Sequence, residues 1–118
     1  MNTHSMDVET AETLAGVVRL LRQAAVLAWA AADRAGGASP GQLFALGVDL
    51  AADQARHLVP DGTEIDGPVP VGYEPAGLLG SAELLLRRVA PVAAPDAVDD
   101  LRATVADLVW EAKTGVGG

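Results

Sequence analysis

From Asp7 to Ala35 the chain contains no proline, and Leu14, Val17, Val18, Leu21, Ala25, Ala28 and Ala32 recur at the three-and-four spacing that puts them on one helical stripe. A helix over that span is about 42 Å long, roughly three radii of a domain this small. Such an element must be the spine of the fold. Gly36-Gly37 should end it, because glycine takes the left-handed C′ conformation without a Cβ penalty. Gly16 marks either a bend or the edge of a frayed first segment.

Three further helical patterns follow, and no segment alternates with the period of two that a half-buried strand needs. Ser39 as N-cap, Pro40 at the first helical position and Gln42 two residues on open a second helix over about 40–59. Its expected inward face is Leu43, Phe44, Gly47, Leu50, Ala51 and Leu58. A long connection from Val59 to Glu74, rich in proline, glycine and acid, is either functional or mobile. The third helix spans about 75–90 and buries Leu78, Leu79, Ala82, Leu85, Leu86 and Val89. A fourth spans about 95–113, with Asp96, Asp99 and Asp100 near the positive end of its dipole. Val98, Leu101, Val105, Leu108 and Ala112 face inward on it. The sequence therefore predicts one all-α domain over 7–114, a small four-helix bundle of two hairpins joined by the long connection. Residues 1–6 and 115–118 are expected to be flexible tails.

Composition removes several function classes. With no cysteine among 118 residues, the chain is no disulfide scaffold, zinc ribbon or thiol enzyme. Sixteen acids against eight bases, a net charge of −8, disfavour nucleic acid and anionic membranes as partners. The longest unbroken apolar run, Ala24 to Ala32, falls short of the roughly twenty residues that span a bilayer. The first residues lack the basic head of a secretory leader, so a cytoplasmic location is expected. Seven of the eight bases are arginine, and with abundant Ala, Gly, Val, Leu and Asp this suggests a GC-rich bacterial genome.

Three departures from the simple pattern nominate surfaces. Leu20, Ala24, Leu27 and Ala31 form a second stripe on the first helix, about a third of a turn from the first. A helix apolar almost all round either runs through the middle of the domain or packs one side on a second subunit. Leu20, Ala24, Leu27, Ala28 and Ala31 are thus candidates for a homodimer interface, although alanine is common here, with 23 copies. On the fourth helix Ala103, Ala106 and Trp110 make a narrow apolar strip opposite the core face; tryptophan is a frequent interface anchor, and the alternative is that the Val59–Glu74 connection or the N-terminal segment folds over it. The third departure is polar. Gln54 falls inside the expected apolar face of the second helix with His57 on its flank, and Asp53, Gln54, His57 and Tyr73 are candidates for lining a ligand pocket.

Catalytic constellations are not found. Asp49, Asp53 and His57 stand four apart, but the second Glu-x-x-His of a carboxylate-bridged bundle is missing, and the acidic loop at 61–66 lacks the calcium-loop pattern. No serine sits in a nucleophile elbow, and no phosphate loop occurs. No cofactor and no metal are expected. The leading expectation is a non-enzymatic protein-interaction module, homodimeric, with a basic protein surface as a further partner. The alternatives are a bundle that binds a small apolar ligand near Gln54, His57 and Tyr73, and a metal-dependent enzyme.

Overall fold

The computed structural model describes residues 8–36, 40–60, 62–65, 74–89 and 96–114. Four helices account for most of them: α1 (Val8–Ala35), α2 (Pro40–Leu58), α3 (Pro75–Arg87) and α4 (Asp96–Lys113), with no strand among the described residues. The expected Ser39 cap, Gly37, Tyr73, Pro91, Pro95 and both tails lie outside the described residues. At the end of α1, Gly36 takes φ 72°, and its N–H donates to the carbonyls of Ala32 and Asp33 at 3.2 Å each. That is the positive-φ glycine stop anticipated from sequence.

α1 packs on both α2 and α3, and α4 packs on the same two, so α1 and α4 lie across one diagonal of the bundle and α2 and α3 across the other. This arrangement accounts for the second apolar stripe of α1. Gly16 shares a side of the helix with Leu20 and Leu27, and Leu85 Cδ1 of α3 lies 3.2 Å from where a Cβ at Gly16 would stand. α3 therefore packs on this side of α1 at Gly16. Leu20 and Ala24 are buried there, and Ala28 is only 3% exposed within the single chain. Leu27 and Ala31 stay half-buried. The 13-residue α3 is too short to cover all of the 28-residue α1. Leu20, Ala24 and Ala28, expected as candidates for a homodimer contact, are buried within the single chain. α1 is long and apolar enough to cross a membrane by length and composition, with half of its most apolar window buried in the bundle.

The face of α2 is also corrected. Its buried residues are Phe44, Ala45, Val48, Ala51, Ala52, Ala55 and the following Val59, whereas Leu43 and Leu50 of the expected face are exposed. The helix is turned about a quarter of a revolution from the leucine-centred face. The reason lies in α1. Trp29 Nε1 donates to Asp49 Oδ2 across the α1–α2 seam at 3.2 Å. One turn to either side stand Ala25 and Ala32 on α1, and Ala45 and Ala52 on α2. All four alanines are buried, and small side chains on both helices permit a closer approach than leucines would.

Two arginines tie the non-helical chain to the helices. Arg19 Nη1 donates to the Ile65 carbonyl at 3.0 Å, holding the described part of the long connection against α1, where Ile65 packs on the core. Arg102 of α4 donates from Nε to the Leu86 carbonyl at 3.1 Å and from Nη2 to the Val89 carbonyl at 2.6 Å. Helix α3 stops at Arg87, and this guanidinium takes up carbonyls at its C-terminal end that the helix leaves over.

Candidate functional site

With the core accounted for, the informative surface is the apolar part the fold leaves outside. Trp110 is 67% exposed. Ala103 and Ala106, at three-and-four spacing before it, are exposed as well, so the strip expected on the outside of α4 faces outward. Asp99 precedes the strip and Lys113 follows it, both exposed on the same side of the helix. Near its start Arg102 Nη1 donates to Asp99 Oδ1 at 2.7 Å.

A second apolar strip lies on α2, where Leu43, Leu46 and Leu50 are 75%, 45% and 61% exposed. Their spacing of three and four residues makes them one continuous row. Sequence reasoning missed this row because it assigned Leu43 and Leu50 to the core. The signal available was that α2 carries two apolar arcs, one of leucines and one of small residues, and that α1 offers a small-residue surface. Burying a leucine contributes about 1.5–3 kcal/mol relative to leaving it in water. Covering such a row on association would thus be favourable.

The polar cluster on α2 is displaced by the same rotation. Gln54 lies half-buried at the edge of the packed face rather than at its centre. The side chains of Asp53 and His57 are 66% and 72% exposed. His57 is turned back on its own helix, with Nδ1 2.8 Å from the Asp53 carbonyl oxygen and 3.7 Å from its carboxylate. Asp53 and His57 therefore do not meet Gln54 in an interior pocket, and Tyr73 is outside the described residues. Among those residues no three His, Asp or Glu side chains gather as metal ligands.

Acid dominates the rims of both strips. Between Arg34 and Arg56 there is no Lys or Arg, and none from Ala103 to Ala112. Compared with protein-family models, curated proteins and solved structures, the chain matches none.

Proposed function

We propose that the chain is a non-catalytic helical module that acts by protein–protein contact and forms a homodimer through the outer face of α4. The observation that carries this is Trp110, held 67% exposed at the end of a row of small side chains. The row is self-complementary. If two copies of α4 run antiparallel about a twofold axis between Ala106 and Asp107, each Trp110 lies over the other copy's Ala103. The two Ala106 side chains meet beside the axis and allow a close approach. Lys113 then stands beside the other copy's Asp99 and Asp100. A parallel pairing would instead set Asp99 against Asp99 and Lys113 against Lys113. The charges thus support the antiparallel direction, and an isologous contact of this kind closes at two subunits.

Sedimentation equilibrium over a concentration series tests the reading. The expected result is a monomer–dimer equilibrium that Trp110→Ala weakens by about 30-fold or more, the effect of losing a hot spot worth roughly 2 kcal/mol. The far-UV circular dichroism should not change, because the indole adds little to the core. A chain that stays monomeric at every concentration, or a dimer indifferent to Trp110→Ala, defeats the assignment to α4.

A further inference from the structure

The leucine row of α2 is separate from the α4 strip, and we infer that Leu43, Leu46 and Leu50 are the docking seam for an amphipathic helix of another protein whose apolar stripe is flanked by Lys and Arg. The inference rests on the reading above that the module works by contact, and adds a second surface and the chemistry of its occupant.

Geometry indicates a helix. Three leucines at i, i+3 and i+7 present a straight apolar ridge of two turns, the pattern that meets another helix along its length. Beside them, Leu108 Cδ2 of α4 comes to 3.2 Å from where a Cβ at Gly47 would stand, so α4 borders the ridge. Gly47 lies one turn from both Leu43 and Leu50, and its lack of a side chain keeps that border low.

Charge selects the occupant. The exposed carboxylates of Asp49 and Asp53 stand beside the ridge on α2. On the neighbouring edge of α4, Asp107 is exposed and Glu111 half-buried. No lysine or arginine interrupts either edge, as residues 35–55 and 103–112 contain none. Opposite potentials across such a rim guide encounter and fix register.

A second copy of this chain fits poorly. Antiparallel pairing of two α2 helices that sets Leu43 against Leu50 brings Phe44 opposite Asp49 and Pro40 opposite Asp53, with no base for either carboxylate. Parallel pairing opposes Asp49 to Asp49 and Asp53 to Asp53. Neither arrangement supplies the cations that a lysine- or arginine-flanked helix would.

The test uses three synthetic helical peptides and methyl-labelled protein. One peptide has a leucine seam flanked by lysine, the second the same seam flanked by glutamate, and the third the lysine flanks with glutamine in place of the seam leucines. The lysine–leucine peptide is expected to shift the methyl resonances of Leu43, Leu46 and Leu50. It should bind at least about tenfold more tightly than either control, a difference of roughly 1.4 kcal/mol. The double variant Leu43→Gln/Leu50→Gln, altered only at exposed positions, should keep its helical signal and lose that preference. Equal binding of the glutamate or glutamine peptide overturns the inference, as does a response centred on any other face. So do α2 methyl shifts that depend on the concentration of the protein alone, the signature of a second copy. Failure here with the Trp110-dependent dimer intact removes this inference only. Absence of both would remove the contact reading itself.

Discussion

Removing the guanidinium of Arg102 should cost the fold more than any other single change at a partly exposed polar residue. Its side chain retains 28% exposure, and its contacts divide unequally. The pair with Asp99 is open to water and contributes at most about 1 kcal/mol. The Leu86 carbonyl keeps a second partner in the Val89 N–H at 3.2 Å, so its loss is small. The Val89 carbonyl has no second partner among the described residues. Val89 is buried, and Nη2 reaches its oxygen at 2.6 Å. Leaving such an acceptor unpaired costs about 1–3 kcal/mol. Together Arg102→Met, which preserves the apolar stem, should lose about 2–3 kcal/mol in urea unfolding, or roughly 10 °C in Tm. Arg102→Lys should fall between the two, because an ammonium is a point donor and cannot span two carbonyls as the planar fork does. Hydrogen exchange should quicken first in the last turn of α3. A loss in Arg102→Met below about 0.5 kcal/mol, with exchange in α3 unchanged, would refute the reasoning, since surface substitutions without a structural role fall in that range.

Two further substitutions test the packing. Gly77 and Gly80 lie inside α3, and a Cβ at either would meet nothing within 4 Å. Gly80→Ala should therefore stabilise by about 0.5–1 kcal/mol through helix propensity, seen as a rise in Tm; an unchanged or lower Tm would mean the site is more crowded than it looks. Ala28→Arg should unfold the chain or destabilise it by more than about 3 kcal/mol, because it drives a charge into a position 3% exposed. A folded, soluble Ala28→Arg monomer with native circular dichroism would show that α1 is not the interior spine.

What could be read from the residues alone was local. Gly36 ends α1, Pro40 and Pro75 open α2 and α3, and acids cluster at the start of α4. Each such signal acts through φ/ψ preference, a missing N–H or the helix dipole within one turn, so the chain carries it wherever it folds. The inward faces of α3 and α4 were equally legible, since each has one broad apolar arc: Leu78, Leu79, Ala82 and Leu86 in one, Val98, Leu101, Val105 and Leu108 in the other, all buried. Outward placement of Trp110 followed from the same periodicity.

α1 and α2 could not be settled in that way, because each has more apolar surface than one neighbour can cover. For α1 the choice between interior and dimer contact depended on whether another part of the chain reached Leu20 and Ala24. Leu85 of α3 meets the same side of α1 at Gly16, nearly seventy positions away in sequence, and Leu20 and Ala24 are buried within the single chain. For α2 the leucine arc promised the larger burial residue by residue, yet the alanine arc faces the core. Hydrophobicity ranks side chains one at a time, while packing depends on the sum of two surfaces and the distance between their axes. Against the alanines of α1, small residues let the backbones approach and fill the seam. That packing left Leu43, Leu46 and Leu50 in water.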